Sequence, residues 1–400
     1  MRVRTLAILA AAAAAFASLP SVAADAASPH ANTEHACGAP TAGTASCFAL
    51  RRTDLPPMAK ASASTPPPGY GPTEIESAYA LTGLASGGRT VAIVDAYDDP
   101  KAESDLAVYR LQFGLPACTT TNGCFTKSSQ GTGIKLPRAD RGWAQEISLD
   151  LDMVSATCPD CKILLVEASS NSFANLGTAV QYAASQPGVV AISNSYGGGD
   201  ASDGTYGKYY KFPGIAVTAS TGDNGYQGGS YPASSSYVVA VGGTSLKGST
   251  STGWAETAWS GAGSGCSTYN TALAAATNFD TGCAMRAMAD VSAVADPNTG
   301  VAVYDSFHVS GWVVFGGTSV SSPIIASVYA LSGNTGDKTT PTYANAIPYQ
   351  NDTTTATNAG NMNDVTSGSN GTCPTFQWCN ARSGWDGPTG LGTPNGTSAF

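Results

Sequence analysis

The chain has 400 residues, a formal net charge of −9 and only 12% charged residues. An acidic balance without any basic run argues against nucleic-acid binding, which needs clustered Lys and Arg to neutralise phosphates. With 42% hydrophobic residues and 46 glycines, the chain can bury one large core or two ordinary ones between many tight turns.

Residues 1–24 read as a secretory signal peptide. Arg2 and Arg4 give a positive start, Leu6 to Phe16 an apolar run, and SVAADA small residues for cleavage. That run is too short to cross a bilayer, and no later stretch reaches about 18 consecutive apolar residues. A secreted protein with no membrane segment in its mature form is expected. Residues 25–68 are rich in Ala, Ser, Thr and Pro and end in STPPPGYGP, which reads as a short pro-segment and a stiff linker.

The ten cysteines fall into near neighbours: Cys37 with Cys47, Cys118 with Cys124, Cys158 with Cys161, Cys266 with Cys283, Cys373 with Cys379. An even count in an exported chain points to disulfides. Sequence does not fix their connectivity, and local pairing is the expectation. The rival reading takes Cys158-Pro-Asp-Cys161 as a redox or zinc site, but a second CxxC is absent.

From about Tyr70 the pattern changes. TVAIVDAY (90–97), ILLVEAS (163–169), VVAISNSY (189–196), IAVTAS (215–220) and YVVAVGG (237–243) are apolar strands without polar alternation. Helical patterns such as SFANLGTAVQYAASQ (172–186) lie between several of them. This argues for an α/β domain over 69–400, with a largely parallel central sheet covered by helices on both faces. Functional groups then collect at the carboxyl ends of the strands.

FGGTSVSSP (315–323) is a run of small residues before Pro323, a residue suited to the first turn of a helix. It is a good way to present the Ser319 hydroxyl, and a serine nucleophile needs a base. The chain has three histidines. His30 and His35 lie in the pro-segment, and His308 reaches Ser319 only by a hairpin-like return. RGWAQEISLDLDMV (141–154) offers another base. In a helix Glu146 and Asp150 are four apart and share a face, whereas Asp152 points elsewhere. With apolar Trp143, Ile147 and Leu149 beside them, the two carboxyls can share a proton, because repulsion and burial raise one pKa. In TASTGDNGY (218–226) a strand runs into a polar turn that projects Asp223. Taken singly, these acids also read as solvated helix and turn residues.

In this order the pieces resemble the sedolisins, the serine-carboxyl peptidases on a subtilisin-like fold, over 69–400. Ser319 in GGTSVSSP matches the family's nucleophile, Glu146 and Asp150 in EISLD its Glu-x-x-x-Asp motif, and Asp223 its oxyanion aspartate. RAMADVSAVADPNTG (286–300) resembles the segment before the serine. SNSYGGGD (193–200) resembles the substrate-binding edge strand, with Ser195, Tyr196 and Gly197. Asp95 in VAIVDAYDD stands at the subtilisin aspartate's place, but no His-Gly-Thr motif follows, so a structural or supporting role is implied. NDVTSG (363–368) and ARSGWDGPTGLGTP (381–394) resemble the family's calcium site. Asp364 and Asp386 match its carboxylates; Val365, Arg382 and Gly384 match its carbonyl positions. One structural Ca2+ is implied.

The resemblance implies a monomeric, secreted endopeptidase acting on proteins or peptides. Activity is expected to peak in acid, on the order of pH 3 to 5, where Asp223 is protonated. Two alternatives remain: a non-catalytic binding protein on a peptidase scaffold, and a subtilisin-type enzyme using His308 as base. Most sedolisins carry a long folded pro-domain, where this chain has only residues 25–68.

Overall fold

The strand predicted from TVAIVDAY spans Thr90–Ala96 and sits inside an eight-stranded sheet. The computed structural model describes Met1 and residues 32–62, 64–351 and 361–400, so most of the leader and His30 lie outside the described residues. Across the sheet the order is Gly253–Ala258, Val239–Ser249, Ala216–Ser220, Val189–Asn194, Thr90–Ala96, Lys162–Ala168 and Phe125–Ser129. Val291–Val294 also pairs with Val239–Ser249. Every pairing is parallel except that of Gly253–Ala258, which returns as a hairpin.

One strand shows why the sheet is covered twice. Val91 and Ile93 pack into a core that holds Ile147, Leu151 and Ile324, while Ala92, Val94 and Ala96 pack into another that holds Phe173, Leu176 and Val180. Successive side chains of a strand point to opposite faces, so a strand buried on both is apolar throughout. The first core seats the helices Arg141–Thr157 and Thr318–Ser332, which pack against one another; the second seats the helix Phe173–Ser185. Fully burying Ile93 contributes about 1.5–3 kcal/mol relative to exposure. All five cysteine pairs form disulfides as expected, so Cys158 and Cys161 are not a free redox or zinc pair.

The segment read as pro-segment and linker differs from expectation. The compact unit begins at Asn32, not residue 69. Thr33–His35 pairs with Leu50–Arg52, which pairs with Gly311–Gly316, and Ser46–Cys47 pairs with Tyr196–Gly199. The cause is the apolar run CFAL inside a polar stretch: Cys47, Phe48, Ala49 and Leu50 are all buried.

Acids are buried alongside the apolar core. Desolvation disfavours the charged form. It raises Asp95 and Asp305 to about 8 and Asp99 to about 7, against backbone donors on the latter two. An unfolded Asp titrates near 3.9. Between that value and the folded one the native state binds more protons, so this stability is complete below about pH 4 and is lost as pH rises through 7 to 8. The melting temperature is therefore expected to be highest in acid and to fall steadily toward pH 9. Each such group costs about 1.4 kcal/mol per pH unit across its window. Asp305→Asn, which keeps an acceptor for the Phe307 N–H, should make the decline shallower. A melting temperature that rises from pH 4 to pH 8 would contradict this.

Candidate active site

The helix Thr318–Ser332 begins after Gly317, whose φ of +96° lies in the left-handed region open to glycine. Pro323 is the sixth helical residue, in the second turn rather than the first. Having no N–H, it leaves the Ser319 carbonyl, four residues back, without its helical donor. The Ser195 hydroxyl approaches that carbonyl at 3.4 Å. The presentation of Ser319 is thus tied to the residue just past the carboxyl end of the strand Val189–Asn194.

Glu146 and Asp150 lie on the helix Arg141–Thr157, which is capped by Asp140 accepting from the N–H groups of Gly142 and Trp143. From Gly142 on, every residue of this helix is buried, the two acids completely. Asp152 points away, accepting from the Tyr304 N–H at 2.9 Å. Asp150 Oδ1 accepts from Ser195 Oγ at 2.7 Å, and Ser319 Oγ donates to the Ser195 carbonyl at 3.1 Å. Glu146 Oε2 accepts from the Ala49 N–H at 2.8 Å. One oxygen of each acid, Glu146 Oε1 and Asp150 Oδ2, has no hydrogen-bond partner.

Burial first, then the Asp95 charge, hold both carboxyls well above the usual range; the Ser319 hydroxyl and Ala49 N–H pull Glu146 back, and Ser195 pulls Asp150 back. One proton shared between the two orphaned oxygens would satisfy both, and would leave the pair with a single charge and able to accept another proton. Asp95, itself fully buried with neither oxygen bonded, adds its field to the pair. That fits a supporting role.

Asp223 follows the strand Ala216–Ser220. Its Oδ1 accepts from the Thr318 N–H at 2.7 Å and the Thr318 hydroxyl at 2.9 Å, while Oδ2 has no partner. Burial pushes its carboxyl up to about 7 against those two donors. Protonated Asp223 would carry its donor beside the serine.

His308 is exposed at the tip of the hairpin between Val301–Asp305 and Gly311–Gly316, with the whole second strand between it and Ser319. Six strand residues span roughly 20 Å. His35 lies exposed on an edge strand opposite Leu50. Neither histidine is placed to take the serine proton.

The strand Tyr196–Gly199, expected at a sheet edge, is instead the middle of three, paired on one side with Ser230–Tyr231 and on the other with Ser46–Cys47. The Tyr196 ring is fully buried, with its hydroxyl donating to Asn194 Oδ1 at 2.7 Å. Gly197, Gly198 and Gly199 line a cleft of ≈ 560 Å³ with Gly222, Asp223 and Phe48. Sequence reasoning missed Phe48 and Ala49; the apolar run CFAL was the available signal.

Asp364, Val365, Arg382, Gly384 and Asp386 come together at the carboxyl-terminal part of the chain. Asp364 Oδ2 accepts from the Gly384 N–H at 3.0 Å, and Asp386 Oδ2 accepts from the Arg382 N–H at 3.1 Å. Asp364 Oδ1 is buried without a partner.

The Subtilase family matches residues 142–365. Kumamolisin of Bacillus sp. (strain MN-32) is 29% identical over 392 residues, covering 87% of this chain and 66% of kumamolisin's own length. The solved Pseudomonas sedolisin, a serine-carboxyl proteinase complexed with two molecules of pseudo-iodotyrostatin, superposes with a TM-score of 0.68 at 24% identity. That match covers 82% of this chain and 96% of the sedolisin. An S41 psychrophilic protease reaches a TM-score of 0.50 at 18% identity, over 84% of this chain and 99% of its own. The parallel sheet, with the helices that bear Ser319, Glu146 and Asp150 packed on it, agrees with these likenesses, and the chain belongs to the subtilase family, in its sedolisin branch.

Proposed function

We propose that this protein is an exported serine-carboxyl endopeptidase that hydrolyses proteins in acid. The observation that carries this reading is that four fully buried groups gather around Ser319: it and Asp150 both bond Ser195, Glu146 meets its hydroxyl, and Asp223 accepts from the neighbouring Thr318. Ser319 Oγ attacks the peptide carbonyl as its proton passes to the free oxygen of Glu146. Asp150, held by Ser195, keeps Glu146 oriented and shares the extra proton. The charge that develops on the carbonyl oxygen is met by the Ser319 N–H and by protonated Asp223. Glu146 then returns the proton to the leaving amine, and a water that Glu146 deprotonates attacks the Ser319 ester, releasing the new carboxyl end and restoring the serine hydroxyl. Five disulfides fit an oxidising, extracellular setting. Among the described residues no helix is long and apolar enough to cross a membrane.

The test is digestion of a denatured protein at about pH 4 by the purified chain, with mass spectrometry of the products. Peptides whose summed mass exceeds the substrate's by one water per bond cut, absent with Ser319→Ala, are expected. A folded chain that leaves the substrate intact would overturn the reading.

We also place one structural calcium ion at Asp364 and Asp386, with the backbone carbonyls of Val365, Arg382 and Gly384. The unpaired, buried Asp364 Oδ1 suits a cation, and calcium takes six to eight oxygens, many from carbonyls. The ion would cross-link the segments at 364 and 382–386 and take no part in the reaction. At ~100 times its Kd it adds about 2.7 kcal/mol. EDTA should lower the melting temperature by several degrees, and Asp386→Ala should abolish that response. An unchanged melting temperature, with no tightly bound calcium by elemental analysis, would remove the site.

A further inference from the structure

SNSYGGGD (193–200) ends in an acid for which the reaction has no use. We infer that Asp200 selects the substrate: the residue that supplies the scissile carbonyl is a basic one, Arg or Lys, whose side chain reaches Asp200 through the cleft. The inference rests on the peptidase reading above and narrows its substrate class.

Asp223 and Asp200 both line the cleft of ≈ 560 Å³, and no Lys, Arg or His does. The two acids share no partner. Asp223 is bound to Thr318, and Asp200 to Ser234, Ser267 and Thr268, so they mark different ends of the same space. A residue whose carbonyl is polarised at Asp223 has its side chain at the mouth of this cleft. The Phe48 ring packs at that mouth, where a Cβ on Gly197 would meet it at 2.8 Å and one on Gly222 at 3.5 Å. The ring is itself one wall of the cleft, so the remaining volume lies beyond it and suits a long side chain. The way to Asp200 is open because residue 229 is glycine. A Cβ there would stand 2.5 Å from the Asp200 carboxyl carbon and 2.7 and 2.8 Å from its two oxygens.

Asp200 is held ready for a cation. It follows the strand Tyr196–Gly199, whose Gly199 is paired with Ser230. Its Oδ1 accepts from Ser234 Oγ at 2.7 Å and Ser267 Oγ at 3.1 Å. Its Oδ2 accepts from Ser267 Oγ at 3.1 Å, the Thr268 N–H at 2.7 Å and Thr268 Oγ1 at 3.2 Å. Ser267 and Thr268 follow Cys266, which is joined to Cys283 and paired with Ala287. Three of the four donors are hydroxyls, which can turn and accept from an ammonium or guanidinium as well as donate. Among the described residues no Lys, Arg or His forms an ion pair with Asp200. An apolar side chain filling the cleft would strip water from this carboxylate and return nothing, and an acidic one would be repelled. A basic one supplies the missing counter-charge through charge-assisted hydrogen bonds.

The experiment measures kcat/KM at about pH 5, below the Asp223 titration at about 7. One peptide is made with Arg, Lys, norleucine, Phe or Glu before the cut; norleucine has much of the length of lysine and none of its charge. Arg and Lys are expected to exceed norleucine by about 10- to 100-fold, the usual size of a hydrogen bond to a charged group, with Glu the poorest. Asp200→Asn, which keeps an acceptor for the Thr268 N–H, should close that gap. Gly229→Ala, whose Cβ would crowd the carboxyl, should narrow it, and serves if the first variant does not fold. Norleucine or Phe cut by the wild type as fast as Lys would overturn the inference and leave the peptidase reading standing. So would a gap that survives in both folded variants, or a loss equal for all five peptides, which is the mark of a purely structural Asp200. A folded wild type that cuts none of the five, nor denatured protein, would overturn both.

Discussion

Ser319→Ala, Glu146→Ala and the double variant should lose turnover to nearly the same extent, on the order of 10⁶-fold. The reason is that nucleophile and base act as one unit. Without Glu146 the serine keeps its proton, because the Ser195 carbonyl to which its hydroxyl donates cannot take it. Without Ser319 the carboxyl pair has no proton to take. Residual catalysis then comes from the remaining donors and from substrate binding, which all three variants retain. Initial rates on one peptide, with circular dichroism to show that each variant folds, measure this. A double variant that loses the product of two separate large effects would mean that the two residues act independently.

Asp223 should set how activity responds to pH. An ionised carboxylate has no donor and repels the charge developing on the substrate oxygen. Asp223 helps only while protonated, and burial keeps it so up to about pH 7. Asp223→Ala should cost about 10² to 10³ in turnover, the usual size for one lost oxyanion donor. Asp223→Asn keeps a donor that never ionises, so its residual activity should decline less steeply above pH 6. Thr318 bonds Asp223 Oδ1 through both N–H and hydroxyl, an acceptor that Asp223→Asn keeps and Asp223→Ala loses. The slopes of log turnover against pH are therefore the comparison to make. Full activity in Asp223→Ala would end this account of the oxyanion site.

Much of the sheet was legible because buried parallel strands are apolar throughout. TVAIVDAY and ILLVEAS became Thr90–Ala96 and Lys162–Ala168 with little change at the ends. The Glu146–Asp150 spacing was legible because helical periodicity alone puts the two on one face. Ser319 stood out by its small neighbours. What escaped was long-range. Ala49 meets Glu146 across 97 residues of sequence, and nothing local in CFAL says which cleft its apolar run will fill. Its surroundings in Ala, Ser, Thr and Pro made it read as linker. Pro323 is expected in the first helical turn because a proline further in strands a carbonyl; the Ser195 hydroxyl, just past the end of the strand Val189–Asn194, approaches that carbonyl here. His308 sits at a distance from Ser319 set by the hairpin register, Tyr304 opposite Trp312 and Asp305 opposite Gly311, which single-sequence reading does not fix. The role of Asp95 is likewise a matter of burial beside Glu146 and Asp150 rather than of spacing.

The claim that a carboxyl pair, not a histidine, activates Ser319 is tested most directly by one measurement: initial rate against pH, from about 2 to 9, for the wild-type chain and His308→Ala. The account predicts two superimposable profiles with an acid optimum, both falling through about pH 7 as Asp223 ionises. An optimum near pH 8 that disappears with His308→Ala would contradict it.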